Sequence, residues 1–582
     1  MGGGRSSREL IRFARFELDK HSGELRKDGN RIRLQEQPLQ ILQILLEQPS
    51  RIITRDELRQ KIWPSDTFVD FDHGINNAIK RLREALGDTA ETPRFIETLP
   101  KRGYRFIAAV DDDAAHIRMG GSAIDSIAVF PFETASSDPD TDYLAVGIPG
   151  SITHSLSQIP NLRVISWRIA AHIEGRPADP LAIGRKLGVR AVLTGRIWQR
   201  ANKLRLHVDL LDTENGEEVW GDQYDSALNE LFAVQDSVAR EVSQKLRLKM
   251  TGETEDRLVK RSTENIEAYH LYVRARRWCE KRSVEGFRRG VEYLRQAIQT
   301  DPNYAAAHAE LAQCTAVPCY YGSVDPNEAY PKARAAALRA LELDPDLAEG
   351  HAVLGLILQT YDWNWTAAER EFQRAIELNP NYPISHYHYS YLLVELGRWD
   401  EAIHEATEAL SRDPVSAVLN AALAFVLLLA RQYDRCISQA HTAIEVDPNM
   451  TLSYVVLGTA YAQKGRYSEA IEIYEKGIAL GGMWAYQKAF IGCMHIRSGE
   501  REKARKVLQE LEQERLTAYV PFMASAFVYE GLGEHDKAIE MLEKACENRE
   551  TNLAFLKTWP YLDGLCDDPR FQKIERRVGL RT

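Results

Sequence analysis

A period of 34 residues in the C-terminal half constrains this chain more than any other feature. Pro380, Pro414 and Pro448 are 34 residues apart, and each follows Asn or Asp. The same step separates a set of mostly small residues: Ala368, Ala402, Cys436, Ala470, Ala504 and Ala538. A small residue that returns at this interval marks the point where the two helices of a hairpin approach closely. The period therefore predicts an all-α solenoid of stacked helical hairpins with a concave groove.

Aromatic residues occupy a second fixed position, three residues before the small one: Trp365, Trp399, Tyr433 and Tyr467. One unit shows the whole pattern: Leu457, Gly458, Tyr461, Tyr467, Ala470 and Tyr474. This pattern resembles the tetratricopeptide repeat. The resemblance implies a groove that binds a peptide or a protein partner.

We expect about eight such units over residues 265–552, followed by capping helices over 553–582. The first two units are less regular, because Pro302 and Pro345 are 43 residues apart and so enclose an insertion around 318–326. His386 and His388 suggest a metal pair, but two side chains at i and i+2 diverge on a helix. We therefore predict no metal site there.

The N-terminal segment, residues 8–110, predicts a mixed α and β fold. Alternating and helical periodicities predict strands over 11–18 and 24–34, then helices over 38–47, 54–63 and 73–86. Thr54 and Glu57 form a capping box at the start of the second helix. An apolar stripe lies along one side of the third helix: Ile75, Ile79, Leu82 and Leu86. Gly87 is expected to end this helix.

The opposite side of the third helix carries polar side chains that reach base edges and phosphates in a major groove. They are His73, Asn77, Lys80, Arg81 and Glu84, with Arg83 on a flank. On its own, a face of this composition is more often a solvated surface of mixed charge. A following hairpin, strands 95–99 and 104–109 with Lys101 and Arg102 at its tip, favours DNA binding, because cations on such a wing contact phosphates or the minor groove.

Three stretches carry a family resemblance: IITRDELRQKIW, INNAIKRLREAL and FIETLPKRGYRF. They resemble the OmpR/PhoB-type winged-helix effector domain of bacterial phosphorelay regulators. The resemblance implies that Asn77, Lys80, Arg81 and Arg83 face the major groove. It implies backbone or minor-groove contacts for Thr98, Lys101 and Arg102, although Pro100 stands where many relatives have Arg. The predicted DNA-binding set is Asn77, Lys80, Arg81, Arg83, Glu84, Thr98, Lys101 and Arg102.

The resemblance also implies tandem half-sites bound by two copies, as a homodimer on DNA. No receiver domain precedes the winged helix, so the arrangement is similar to the receiver-less, CadC-like branch. Residues 1–110 carry 20 Lys and Arg against 16 Asp and Glu, whereas the whole chain has a net charge of -10. A basic N-terminal segment on an acidic chain suits DNA binding.

Residues 111–124 predict a linker, and 125–227 a small α/β domain with a mixed sheet. The phrases SIAVFPF, YLAVGIPGSI and RAVLTGRIWQ resemble the TolB-like or FlgO-like α/β domain. Gly147 and Gly150 suggest a turn before a helix. We interpret this turn as a structural feature, and the alternative is that it binds a phosphate group. Residues 228–264 predict a connecting helix into the repeats.

The seven cysteines, from Cys279 to Cys566, form no CxxC pair, and we interpret them as buried free thiols in a reducing compartment. No apolar run approaches the ~20 residues that span a bilayer, and the N-terminus lacks a signal core. We therefore expect a cytoplasmic protein. No catalytic, cofactor or metal motif is expected.

The sequence thus favours a DNA-binding transcriptional regulator. Its winged helix would read promoter DNA, and its α/β domain and repeats would sense a signal or bind a partner. The alternative is a protein-interaction scaffold whose winged helix contacts protein. Catalysis is a further hypothesis, because domains of the middle type resemble ones that accompany nucleotide cyclases, but no catalytic signature appears in the sequence and we expect that the chain is not an enzyme.

Overall fold

The structure is a computed structural model, and it describes two compact units, Met1–Ser122 and Ala123–Thr582, which we treat separately. The described residues of the first are 10–13, 16–19, 24–27, 30–32, 34–47, 53–62, 71–89, 93, 95–99, 103–107 and 111–112. Those of the second are 124–134, 139–159, 162–165, 179–200, 203–227, 230–246, 263–481 and 484–580.

Among the described residues of the first unit there are two antiparallel sheets and three helices. One sheet has the order β4-β3-β2-β1-β8, formed by β1 (Leu10–Phe13), β2 (Phe16–Asp19), β3 (Glu24–Lys27), β4 (Asn30–Ile32) and β8 (Asp111–Asp112). The other has the order β5-β7-β6, formed by β5 (Ile53–Thr54), β6 (Ile96–Leu99) and β7 (Gly103–Phe106). The helices are α1 (Glu36–Glu47), α2 (Arg55–Ile62) and α3 (Phe71–Leu86).

Local signals in the sequence account for this unit. The Glu57 carboxylate accepts hydrogen bonds from the Thr54 backbone N–H (2.7 Å) and hydroxyl (3.0 Å), which confirms the capping box. Gly87 adopts a left-handed φ of 67° at the end of α3. Gly103 has a φ of 150°, and a Cβ there would lie 2.1 Å from the Ile53 carbonyl oxygen. Glycine therefore allows β7 to pair with β5.

The second unit begins with an α/β domain whose sheet has the order β11-β9-β12-β13-β14, with β10 also paired to β12. Its strands are β9 (Ser126–Val129), β10 (Glu133–Thr134), β11 (Arg163–Ile165), β12 (Ala191–Arg200), β13 (Lys203–Asp212) and β14 (Glu218–Ala227). Its helices are α4 (Pro139–Ser157), α5 (Pro180–Lys186) and α6 (Leu231–Lys245). Parallel pairing of β9 with β11 and β12, and antiparallel pairing beyond, confirms the mixed sheet.

Two features of this domain differ from the sequence interpretation. Gly147 and Gly150 lie inside α4, not in a turn before it, because the helix begins at Pro139. Pro149 lacks an N–H, so it cannot bond the Ala145 carbonyl, which instead accepts a hydrogen bond from the Phe132 N–H (3.0 Å). The helix expected to connect to the repeats, α6, packs against the sheet with its buried apolar face.

Eight helix pairs follow among the described residues from 266 to 547. The pairs are α7 (Ile266–Cys279) with α8 (Val284–Thr300), α9 (Ala305–Tyr320) with α10 (Pro326–Leu343), α11 (Ala348–Thr360) with α12 (Trp365–Leu378), and α13 (Pro383–Glu395) with α14 (Trp399–Arg412). They continue with α15 (Ala417–Leu429) and α16 (Tyr433–Val446), α17 (Thr451–Gln463) and α18 (Tyr467–Ala479), α19 (Trp484–Arg497) and α20 (Arg501–Arg515), and α21 (Phe522–Gly531) and α22 (His535–Glu547). Two 3-10 turns (Thr551–Phe555 and Asp563–Leu565) and α23 (Pro569–Val578) complete the unit.

The residues spaced by 34 are the close-packing points of these pairs, as the sequence predicts. All six are completely buried: Ala368, Ala402, Cys436, Ala470, Ala504 and Ala538. Glycines of the preceding helices serve the same purpose. A Cβ on Gly458 would lie 2.5 Å from the Tyr474 ring, and a Cβ on Gly355 would lie 2.8 Å from the Phe372 ring.

A polar side chain six residues after each inter-repeat proline bonds back to the carbonyl of that proline. The five bonds join His308 to Pro302, His351 to Pro345, His386 to Pro380, Asn420 to Pro414, and Tyr454 to Pro448. This bond joins the turn between repeats to the helix that follows it. His386 and His388 bond different partners, as expected for positions i and i+2 of a helix. His388 is buried and lies 3.1 Å from the Gln313 amide nitrogen, on another helix.

Residues 551–562 pack on the first helices of several repeat pairs. The rings of Phe555, Trp559 and Tyr561 pack on aromatic side chains of the repeats, with centroid distances from 4.6 to 6.5 Å. The last repeat also reaches the second, because the Asn327 amide donates to the Asn548 carbonyl (3.1 Å). This segment covers part of the aromatic surface of the repeats, and binding of a partner in their groove stays a prediction.

The interpretation of the cysteines as buried free thiols is wrong for three residues. Cys279 and Cys314 form a disulfide between α7 and α9, with their Cα atoms 6.2 Å apart. Their 35-residue separation hid the pairing, because folding the first helix pair onto the second brings them together. The other five cysteines are free, and Cys566 alone among them is exposed. Among the described residues, no helix combines the length and apolar character needed to cross a bilayer.

Candidate nucleic-acid interface

One side of α3 is buried and the other presents polar side chains to solvent. Ile75, Ile79, Leu82 and Leu86 are all at most 2% exposed. Asn77, Lys80, Arg81 and Glu84 are exposed on the opposite side, within an arc of about 100°. The structure therefore brings four of the expected DNA-binding residues onto one accessible helix face. One of them has a side-chain partner, since Arg81 donates to the Gln35 side chain.

Arg83 lies at the flank of this face and is turned toward the hairpin that follows. Its guanidinium donates to the Ile96 carbonyl oxygen (2.7 Å) and to the Thr98 hydroxyl (2.9 Å). Thr98 is exposed. In the free protein, Arg83 and Thr98 thus join α3 to the first strand of the wing.

A buried carboxylate strengthens the same junction. Asp88 is 8% exposed and accepts hydrogen bonds from the backbone N–H groups of Thr89 (3.0 Å), Phe95 (3.2 Å) and Ile96 (2.9 Å). Three N–H donors on one carboxylate fix the start of β6 relative to the end of α3. The wing is consequently held at a defined position beside the helix.

A third polar cluster joins α2, α3 and β7. The Arg55 guanidinium donates to the Asn76 side-chain oxygen (3.0 Å) and to the Tyr104 hydroxyl (2.9 Å). The Tyr104 hydroxyl donates to the same Asn76 oxygen (2.8 Å). Sequence reasoning did not single out these residues, because their 21- and 49-residue separations give no local signal.

The hairpin itself confirms the predicted wing. β6 and β7 pair antiparallel with Ile96 opposite Phe106 and Leu99 opposite Gly103. The predicted tip, Lys101 and Arg102, lies outside the described residues, as does the side chain of His73.

Comparison with family models places known domains along the chain. Residues 29–106 match the model described as transcriptional regulatory protein, C terminal, and residues 122–241 match the second domain of HilA/YgeH-like transcriptional regulators. Tetratricopeptide models match residues 371–404, 452–480 and 522–552. The chain therefore contains the OmpR/PhoB-type winged helix and the tetratricopeptide repeats expected from its sequence. The resemblance to TolB-like or FlgO-like domains stays a prediction.

Individual relatives agree with this domain composition. The chain is 34% identical over 40% of its length to "Putative adenylate cyclase 3" of Rhizobium meliloti, covering 40% of that protein. It is 34% identical over 22% of its length to the "Cholera toxin homolog transcriptional activator" of Vibrio parahaemolyticus, covering 42% of that protein. It is 22% identical over 66% of its length to "Transcriptional regulator HilA" of Salmonella typhi, covering 68% of that protein. The chain spans less than half the length of the first two relatives.

Proposed function

We propose that this chain is a transcriptional regulator that reads promoter DNA with the exposed face of α3. The observation that carries the proposal is the presentation of Asn77, Lys80, Arg81 and Glu84 on one accessible face beside a rigidly held wing. Amide, ammonium and guanidinium groups of this length bond base edges and phosphates. The family model for residues 29–106 and the transcriptional regulators among the relatives support the same function.

In this proposal Asn77 and Arg81 contact base edges, while Lys80 and the wing cations Lys101 and Arg102 contact phosphates. Arg83 and Thr98 position the wing, and Arg83 reaches the backbone of the DNA if its bonds to the wing rearrange on binding. The chain would act on the chromosome in the bacterial cytoplasm, with two copies on tandem half-sites.

The remaining domains would carry the signal. We propose a sensory or partner-binding role for the α/β domain and the repeats rather than catalysis, although one relative is named an adenylate cyclase. A partner would bind the part of the repeat surface that residues 551–562 leave uncovered.

Binding sites on genomic DNA, selected by affinity with the purified full chain, test the proposal. Asn77→Ala and Arg81→Ala should each cost about 1–3 kcal/mol on the selected site and relax its sequence preference. Lys80→Ala, Lys101→Ala and Arg102→Ala should weaken specific and non-specific binding alike and reduce the salt slope by about one each. Arg31→Ala is the matched control, because Arg31 is exposed on β4.

The scaffold alternative makes the opposite prediction. If the winged helix contacts protein, no DNA site is enriched, and the five variants bind any DNA with the affinity of the unchanged chain. Equal losses for Arg31→Ala and Lys80→Ala would also overturn the proposed interface, because they would show binding through net charge alone.

A further inference from the structure

A cyclic cluster of hydrogen bonds at the base of the wing fixes the side chain of Asn76. Arg55 is the first residue of α2, Asn76 lies on α3 and Tyr104 lies on β7. One nitrogen of the Arg55 guanidinium donates to the Asn76 side-chain oxygen and to the Tyr104 hydroxyl, and that hydroxyl donates to the same Asn76 oxygen. The guanidinium carbon of Arg55 also lies 5.2 Å from the centroid of the Tyr104 ring. Three elements of the domain therefore meet at one amide oxygen.

The chemistry of this cluster decides which end of the Asn76 amide faces inward. A guanidinium group has donors only, so the atom that it meets must be the oxygen of the amide and not the nitrogen. A carbonyl oxygen has two lone pairs, and the bonds from Arg55 (3.0 Å) and Tyr104 (2.8 Å) use both. The Asn76 oxygen is thus saturated before any ligand binds, and the amide cannot flip without breaking both bonds.

The nitrogen of the same amide is the end that remains for a ligand. Asn76 is exposed, and its amide nitrogen makes no hydrogen bond with any residue that the structure describes. Asn76 lies four residues before Lys80 and therefore on the same side of α3. It belongs to the N-terminal half of this helix, the part of a recognition helix that contacts base edges. Asn76 therefore presents hydrogen-bond donors, and no acceptor, beside the exposed face of α3.

The neighbouring Asn77 differs in this respect. Its side chain is exposed and makes no hydrogen bond with the described part of the chain, so its amide can turn either end toward a ligand. An amide that can turn uses both ends on adenine, accepting from the N6 amino group and donating to N7. The amide of Asn76 cannot make this pair of bonds, because its acceptor is already used by Arg55 and Tyr104.

We propose that Asn76 determines part of the DNA sequence preference, and that it selects guanine through a contact in which it only donates. Guanine shows two acceptors, N7 and O6, at its major-groove edge. Adenine and cytosine each show an amino group there, which would face the donors of Asn76, and thymine shows a single acceptor beside its methyl group. Arg55 and Tyr104 are positioning residues in this inference, because they orient the amide and do not touch the base.

The inference rests on the proposed function for the DNA contact, but the orientation of the amide is tested without DNA. Hydrogen exchange in the full chain reports the stability of the winged helix separately from the other domains. Asn76→Ala removes the acceptor of two bonds and should lower the protection of winged-helix amides about tenfold. Asn76→Asp keeps an acceptor for both donors and should not lower it. Asn77→Ala is the matched control, and an equal effect of Asn76→Ala and Asn77→Ala would overturn the fixed orientation.

The DNA test measures the affinity of the full chain for every single-base change of its selected site. At one position, the unchanged chain should prefer guanine by about tenfold, and Asn76→Ala should lose this preference. At the same position Asn76→Asp should prefer cytosine, because the N4 amino group of cytosine donates to a carboxylate. Tyr104→Phe keeps the ring but leaves one lone pair of the Asn76 oxygen unused, so adenine should there be accepted nearly as well as guanine. Asn303→Asp makes the same change of charge at an exposed position of the repeats and should alter no base preference.

Three results would overturn this inference and leave the proposed function intact. Asn76→Asp could change no base preference at any position of the selected site. Asn76→Ala could weaken all sequences equally, which would mark a phosphate contact. The position that responds to Asn76 could prefer adenine, which requires a free amide oxygen. An unchanged chain that enriches no DNA site would instead refute the proposed function and this contact together.

Discussion

Truncation of Phe555 tests whether residues 551–562 are a permanent part of the repeat core. This side chain is 1% exposed, and its ring centroid lies 5.2 Å from that of Phe425, 5.6 Å from Tyr391 and 6.5 Å from Tyr320. Removal of a buried Phe costs about 3–5 kcal/mol, a range that already includes the contacts of its ring. With three such partners, we expect Phe555→Ala to destabilise the repeats by about 4 kcal/mol.

Native-state hydrogen exchange on the full chain measures the stability of the repeats separately from that of the other domains. A single unfolding curve of a multidomain chain does not separate them. A loss of about 4 kcal/mol lowers the protection of the most stable repeat amides roughly 1000-fold. The control is Leu516→Ala, because Leu516 is 76% exposed in the same array and should change stability by less than about 0.5 kcal/mol.

A different outcome would contradict the reasoning. If Phe555→Ala left protection within about tenfold of the unchanged chain and allowed a synthetic peptide of residues 551–562 to bind, the segment would be a displaceable occupant. The aromatic surface of the repeats would then be a peptide-binding site that the chain closes with its own segment.

Three further predictions concern single side chains. Arg83→Met should lower the stability of the winged helix by about 1.5–3 kcal/mol, through the lost charge-assisted bonds to the wing, in thermal unfolding without DNA; unchanged stability would leave Arg83 as a DNA contact only. Burial raises the pKa of the Glu550 carboxyl group from 4.5 to about 7, so the folded chain favours the protonated form. The contribution of this preference to the free energy of unfolding is complete below pH 4.5 and is lost as the pH rises through 7. In Glu550→Gln, the free energy of unfolding should therefore fall less between pH 5 and 8 than in the unchanged chain, by about 3 kcal/mol at most. Glu543→Gln, at an exposed position, should leave this pH dependence unchanged. Cys279→Ser should cost about 3 kcal/mol through loss of the bond to Cys314. Mass spectrometry of protein treated with an alkylating agent in the absence of reductant should show both cysteines unmodified; two alkylated cysteines and unchanged stability would contradict the disulfide.

Local and periodic features were predictable from the sequence. The capping box at Thr54, the glycine that ends α3 and the buried positions spaced by 34 each depend on neighbours within a few residues or on a repeated interval. The bonds from His351 and its equivalents to proline carbonyls were also within reach, because a polar residue recurs six positions after each proline.

Contacts between distant segments were not predictable. Arg83 was expected to face DNA, yet its bond partner Thr98 is 15 residues away and approaches only when the hairpin folds back. Residues 551–562 have no period that would place them against the repeats. Tyr269, which joins the repeats to α4, lies 122 residues from the Gly147 carbonyl that it bonds. In each case the determining contact exists only in the folded chain.

Two side-chain amides in one of the inter-repeat turns hold the α/β domain against the repeats. The equivalent turns carry Asp at 301, 344, 413 and 447, but Asn at 379. The Asn379 amide nitrogen donates to the Ser157 hydroxyl (3.0 Å), and that of Asn381 donates to two carbonyl oxygens of the α/β domain. A carboxylate at 381 would instead face those carbonyl oxygens and repel them. The contact therefore uses amide donors. Of the five turns, only this one begins with an amide, at Asn379, because the other four begin with Asp. The α/β domain docks at the turn that begins at Asn379, where two side-chain amides donate to it.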